Sequence, residues 1–324
     1  MDARPHFSAA LLHPRYWLTW LGMALWRASS LLPHTGMLWL GRNLGRGLYR
    51  LGGFRRVIAE RNLELCFPDL SLTEREALLR RTFENIGISF FEVAMAWWWP
   101  WRRVAKRVSL DGFEHIEALH GQGALLMAVH FTTLELGGQV LGHYYSYDAM
   151  YRPHDNPVYD YLQRRGRLAG HPGSEVFPRK DVRGVMRALR QGRLIWYAPD
   201  QDYGPKQSVF APFFGVSAAS VTATAKFAKA GNARVLPFSH VRLPDGHYHV
   251  RIHPPLEQFP SGDEVADATR INRIVEDLVR QQPDQYLWVH RRFKTRPPAE
   301  PSLYSVRKRR KRKPRTTSPA ADQG

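Results

Sequence analysis

The chain has 324 residues, 44% hydrophobic and 23% charged, which places it among globular proteins and excludes a disordered or fibrous one. Lys and Arg number 47 against 29 Asp and Glu, a formal net charge of +18 that favours polyanionic partners: nucleic acid, anionic lipid or an acidic carrier protein. The lone cysteine, Cys66, excludes an intramolecular disulfide and fits a reducing compartment, and no Cys/His spacing resembles a zinc site.

Residues 16–40 are mostly apolar, interrupted by Arg27 and Pro33. About 20 apolar residues span a bilayer, so the stretch reads first as a single membrane span. An interfacial or re-entrant helix and a buried helix are the alternatives. Arg27 weighs against spanning, at roughly 2.5–3.5 kcal/mol for a charge at mid-membrane. No small-residue cleavage site follows, which argues against a removed signal peptide. Arg42, Arg46, Arg50, Arg55 and Arg56 follow the stretch, against Arg4 and Arg15 before it, so the positive-inside tendency puts the body in the cytoplasm. The run Trp97-Trp98-Trp99-Pro100-Trp101 suggests an interfacial aromatic belt.

Residues 60–69 and 71–99 read as helices, the second opened by a capping box of Ser71 and Glu74. Beyond Trp101, short apolar runs at 124–129, 147–151, 194–198, 234–241 and 248–252 read as strands. They alternate with helical patterns at 135–141, 157–168, 181–190, 218–230 and 265–282. That alternation predicts an α/β fold, a mixed and mostly parallel sheet flanked by helices. Pro244-Asp245-Gly246 predicts a hairpin between the last two strands. The polybasic block from Arg307 to Arg315 cannot bury apolar surface and reads as a disordered tail. It suits anionic lipid headgroups better than nucleic acid, because no recognition helix or stacking platform accompanies it. Three parts follow: 1–45 as an N-terminal membrane anchor or interfacial helix, 46–304 as the body, and 305–324 as the tail.

The chemistry concentrates where strands end. The run 123–129 stops at His130, with Glu135 five residues on. On one continuous helix those side chains would diverge by ~140°. They can meet only if His130 lies in the turn before the helix, and Thr132 as N-cap with Glu135 in a Thr-x-x-Glu box supplies that break. Glu135 then either caps the helix or orients the imidazole as a general base is oriented in acyl transfer. Ala198-Pro-Asp200-Gln-Asp202-Tyr203 ends another strand, at the place where open α/β sheets bind ligands. Its Asp-x-Asp could equally be a turn, or hold a metal–nucleotide in a sugar transferase. Arg152, the arginines at 164, 165 and 167, and Lys180 add basic clusters at the same edge, which suits a phosphate-rich substrate.

Five segments together carry a resemblance. His130-Phe-Thr-Thr-Leu-Glu135-Leu-Gly, Tyr151-Arg-Pro-His-Asp-Asn-Pro157, Arg179-Lys-Asp181, Trp196-Tyr-Ala-Pro-Asp200-Gln-Asp-Tyr-Gly-Pro205 and Trp288-Val-His-Arg-Arg-Phe-Lys-Thr-Arg-Pro297 resemble the Kdo-dependent late acyltransferases of lipid A biosynthesis, closest to the lauroyltransferase branch. The likeness runs from about His13 to Tyr304 and implies a glycerolphosphate-acyltransferase-like fold. It implies an acyl carrier protein thioester as donor and, as acceptor, a 3-hydroxyacyl hydroxyl of the Kdo-bearing tetraacylated precursor. It implies His130 and Glu135 as the catalytic pair, Arg167 and Asp200 in support, and Arg152, Lys180, Asp202 and Tyr203 around the substrate. No cofactor or metal is expected, and anionic membrane lipids are expected partners at the inner membrane. The rivals are a glycerolipid or lysophospholipid acyltransferase of the same fold, and a non-enzymatic basic protein bound to membranes.

Overall fold

Pro33 divides the apolar N-terminal stretch into α1 (Trp17–Ser29) and α2 (His34–Leu51). Proline has no N–H to continue a helix and drives the residue before it out of the helical region. Among the described residues no helix is long and apolar enough to cross a membrane, so the single-span expectation finds no support. The computed structural model describes residues 5–168, 173–178 and 181–304. Lys180 and the polybasic block lie outside them.

Helices α3 (Phe54–Cys66) and α4 (Leu72–Trp98) follow, the latter opened by the expected Ser71/Glu74 capping box. Helix α2 crosses α4 at glycines on both sides. A Cβ on Gly45 would run into the Phe83 carbonyl, and one on Gly87 into Gly41, so only hydrogen at these positions permits the approach. The Trp97–Trp101 run is not an aromatic belt: Trp97 and Trp99 are buried. Trp26 of α1 stacks on Phe90 at 4.7 Å and meets Trp97 and Trp98 edge-on at 5.2 and 5.3 Å. These rings join α1 to α4, while Trp17 and Trp39 stay exposed.

After α5 (Trp101–Ala105) come β1 (Val108–Asp111), the single turn α6 (Glu114–Glu117), β2 (Ala124–Ala128) and α7 (Leu134–Tyr144). The chain continues through β3 (Tyr147–Tyr151), α8 (Pro157–Arg167), β4 (Val176–Pro178), α9 (Val182–Arg190) and β5 (Leu194–Tyr197). Strands β6 (Ser208–Phe213) and β7 (Val216–Val221) pair with each other, and α10 (Ala223–Gly231), β8 (Arg234–Arg242), β9 (Tyr248–Ile252) and α11 (Glu264–Gln281) close the body. The main sheet runs β1-β9-β8-β2-β5-β3-β4. Strand β2 is parallel to both neighbours, and β8–β9 is the antiparallel pair, joined through the expected turn. The α/β fold with a mostly parallel sheet is as expected. Strands β1, β4, β6 and β7 went unread, and the helix expected over 218–230 begins only at Ala223. Its first residues are the buried Ala218, Ala219 and Ser220 of β7, where strand pairing overrides alanine's helix preference.

Strand β2 shows how the layers form. Ala124, Leu126 and Ala128 pack with Leu136, Val140 and Leu141 of α7 and with α4, whereas Leu125 and Met127 pack with Val185, Leu189, Phe227 and Ile271. Alternate residues of a strand point to opposite faces, so a run apolar throughout needs helices on both.

Candidate active site

His130 lies just past β2 and Asp200 just past β5, and these strands are parallel neighbours. Met127 is paired with Tyr197. Counting three residues beyond each brings His130 and Asp200 side by side at the carboxyl edge of the sheet. The imidazole Nδ1 is 2.6 Å from Asp200 Oδ1, and the His130 backbone N–H donates to Oδ2 at 3.1 Å. Burial opposes ionisation of Asp200, but the charge and hydrogen bonds of His130 outweigh it and hold this carboxyl below its ordinary pKa. An ionised Asp200 can only accept, so Nδ1 donates to it, and in the neutral form of the ring Nε2 keeps its lone pair. The ring is 18% exposed, enough for a substrate hydroxyl to reach it.

Glu135 makes no hydrogen bond to this ring among the described residues. It stands in the first turn of α7, where the chain has already rotated away, and its carboxylate is held by Arg167 at the end of α8. Arg167 Nε lies 3.0 and 3.1 Å from the two oxygens, Nη2 also bonds Oε1, and Trp97 Nε1 donates to Oε2 at 3.2 Å. Burial again works against the carboxylate, and the Arg167 charge and hydrogen bonds overcome it to keep Glu135 ionised. Among the described residues no hydrogen bond or ion pair joins His130 to Glu135. The expected capping box is absent too. Thr133 is the N-cap and spends its hydroxyl on His240, and the Thr132 hydroxyl is buried without a partner among the described residues.

The second aspartate faces elsewhere. Asp202 accepts from the Gly204 and Thr295 backbone N–H groups at 2.8 and 2.6 Å and from the Thr295 hydroxyl at 2.9 Å. It ties the Asp200 loop to the C-terminal segment, so Asp200 and Asp202 do not form a paired-carboxylate face. Tyr203 is exposed, and Arg152 is an exposed side chain 3.9 Å from exposed Asp155. Asp181 caps α9 through the Gly184 N–H at 2.9 Å.

The C-terminal segment supplies what sequence reasoning missed. Leu287 N–H donates to the His130 carbonyl at 3.0 Å, and Thr132 N–H donates to the Gln285 carbonyl at 2.8 Å, with a bridge between Phe131 and Tyr286. Asp202 N–H donates to His290 Nε2 at 3.1 Å. Desolvation, aided by the nearby His130 charge, pushes His240 down to about 3, and burial holds His290 at about 4, so both are neutral beside the site. The only local hint of these partners was the Trp288–Pro297 motif itself.

A buried carboxylate behind one imidazole nitrogen, with an open lone pair on the other, is the arrangement of a general base. An arginine held in place by its own carboxylate can meet a developing negative charge. Residues 4–295 match the family described as bacterial lipid A biosynthesis acyltransferase. The chain is similar to the lipid A biosynthesis lauroyltransferase of Escherichia coli (strain K12), 44% identical over 94% of this chain and 100% of the relative. It is also similar to that organism's lipid A biosynthesis palmitoleoyltransferase, 40% identical over 92% and 98%, and to its lipid A biosynthesis myristoyltransferase, 32% identical over 93% and 94%. Fold, site and likeness converge: this chain belongs to the bacterial lipid A biosynthesis acyltransferases.

Proposed function

We propose that the protein transfers a fatty acyl chain, lauroyl by its likeness to the lauroyltransferase, from acyl carrier protein to the hydroxyl of a 3-hydroxyacyl chain on the Kdo-bearing tetraacylated lipid A precursor. The observation that carries this reading is the His130–Asp200 pair at the edge of the sheet. His130 Nε2 removes the acceptor hydroxyl proton as that oxygen attacks the thioester carbonyl. The tetrahedral oxyanion collapses, the C–S bond breaks, and the departing thiolate takes the proton back from the imidazolium. Base catalysis of this kind supplies ~10²–10⁴-fold. With Nε and Nη2 committed to Glu135, Arg167 offers Nη1 to the oxyanion or to a substrate phosphate. The thioester brings the activated acyl group, so no cofactor or metal enters the reaction. Exposed Arg152, Tyr203 and the basic positions around Lys180 bind the substrate's anionic head.

The protein works at the cytoplasmic face of the inner membrane as an interfacial enzyme. Trp17, Leu18, Leu21 and Leu25 share one stripe of α1 and are exposed, while Met23 and Trp26 on the opposite side are buried. A helix apolar all round but covered on one side only suits the headgroup boundary. Purified protein incubated with the tetraacylated precursor and a panel of carrier thioesters tests the reading by mass spectrometry. Addition of one chain, lauroyl fastest, is expected. Acylation of glycerol phosphate or a lysophospholipid in place of the precursor would move the protein to the rival activity.

A further inference from the structure

A cavity of about 480 Å³ opens between α1, α4 and α8, lined by Trp20, Met23, Ala24, Trp97, Trp98 and Leu162. Its volume falls among the roughly 300–1,000 Å³ of small-molecule sites. The lining is apolar except for Arg27 and Arg165, both exposed. Trp20, Met23, Ala24 and Arg27 fall at i, i+3, i+4 and i+7 of α1, a stripe beside the bare apolar stripe that carries Leu21 and Leu25.

One wall of the cavity, the Trp97 ring, also bonds the Glu135–Arg167 pair, donating through Nε1 to Glu135. Gly166, another lining residue, directly precedes Arg167, and a Cβ there would strike the Trp97 ring. A long apolar ligand seated in the cavity therefore lies against the Trp97 ring, whose Nε1 bonds Glu135. The apolar part of this lining has nothing to offer a sugar or phosphate. Its two arginines at the open side suit the anionic or polar end of a lipid-like molecule.

We propose that this cavity seats a saturated fatty-acyl chain of the transfer reaction, and that Met23, Ala24, Trp98 and Leu162 set the chain length accepted. The inference rests on the acyl-transfer reading above and gives that site its chain-binding half. The chain belongs either to the donor thioester or to the hydroxylated acceptor, and both share the chemistry the cavity recognises.

The test uses the full chain and two variants of opposite sign: Ala24→Phe, which fills the cavity from its exposed side, and Trp98→Ala, which enlarges it. The readout is the ratio of kcat/KM for fourteen- and twelve-carbon chains to that for an eight-carbon chain, which partial unfolding does not change. Each methylene that loses its seat costs about four-fold. Ala24→Phe should therefore lower the ratio about ten-fold or more, and Trp98→Ala should raise it. A shift in the donor-length series assigns the cavity to the donor. A shift confined to a series of acceptors with different hydroxyacyl lengths assigns it to the acceptor. Ratios unchanged in both series and both variants overturn the proposal. A second arm needs no turnover: a fatty acid brominated along its chain should quench tryptophan fluorescence in the wild type and less in Ala24→Phe. If the wild type transfers nothing to any acceptor, the reaction assigned above fails, and this quenching still decides whether the cavity takes a chain. Quenching equal in wild type and Ala24→Phe counts against it.

Discussion

Glu135 and Arg167 hold each other as a two-pronged ion pair, with Nε 3.0 and 3.1 Å from the two carboxylate oxygens, and among the described residues no hydrogen bond or ion pair joins either to the imidazole that Glu135 was expected to orient. The candidate site thus holds two charge pairs, and in the proposed reaction His130–Asp200 manages a proton while Glu135–Arg167 presents a fixed cation.

Asp200→Asn should be nearly as damaging as His130→Ala, because the amide can present N–H to Nδ1 and favour the wrong tautomer. The expected loss is ~10²–10⁴-fold in kcat with a small change in KM for the acceptor. The double variant should be little worse than either single one, since the two residues act as a unit. Steady-state kinetics on folded protein checks this, and full additivity would separate their roles.

Arg167→Lys should not rescue Arg167→Ala. Lysine is a point charge that cannot grip Glu135 through two parallel hydrogen bonds. Glu135→Ala should lower stability by about 1–3 kcal/mol, because it leaves a largely buried guanidinium unpaired. Thermal denaturation with parallel activity assays separates this loss from the catalytic one. Glu135→Ala at wild-type stability would show that water replaces the carboxylate.

Acid should weaken the fold through His240. Its pKa falls from an ordinary 6.5 in the unfolded chain to about 3 in the fold, first because burial disfavours the charged ring. Between those values the unfolded state binds the extra proton, so stability is fully present above about 6.5 and declines as pH falls towards about 3. His290, lowered to about 4, acts in the same direction. Denaturant midpoints measured across this range should fall on acidification, with a shallower slope in a folded His240→Asn variant. An unchanged slope in that variant would remove His240 from the account.

Replacing Leu18, Leu21 and Leu25 by serine should reduce sedimentation with anionic vesicles by tenfold or more, given ~1.5–3 kcal/mol for each leucine buried. All three are exposed, so the fold should survive. Binding that persists in high salt after this change would point to another face.

The sequence alone specified what depends on neighbours along the chain. A fully apolar run of strand length announces β2, Ser71 and Glu74 announce the start of α4, and Pro244-Asp245-Gly246 announces the β8–β9 turn. It also singled out His130 and Asp200 individually, each at the end of a buried strand. What it could not reveal was who faces whom. His130 and Asp200 are 70 residues apart, and only the choice of β5 as the parallel neighbour of β2 makes them partners. That choice reflects the burial of whole layers, which local periodicity does not record. Tertiary structure likewise turned Glu135 towards Arg167, drew Trp97 inward and folded the apolar N-terminus back as two helices. In each case packing against a distant element decided among conformations that the local chain left open.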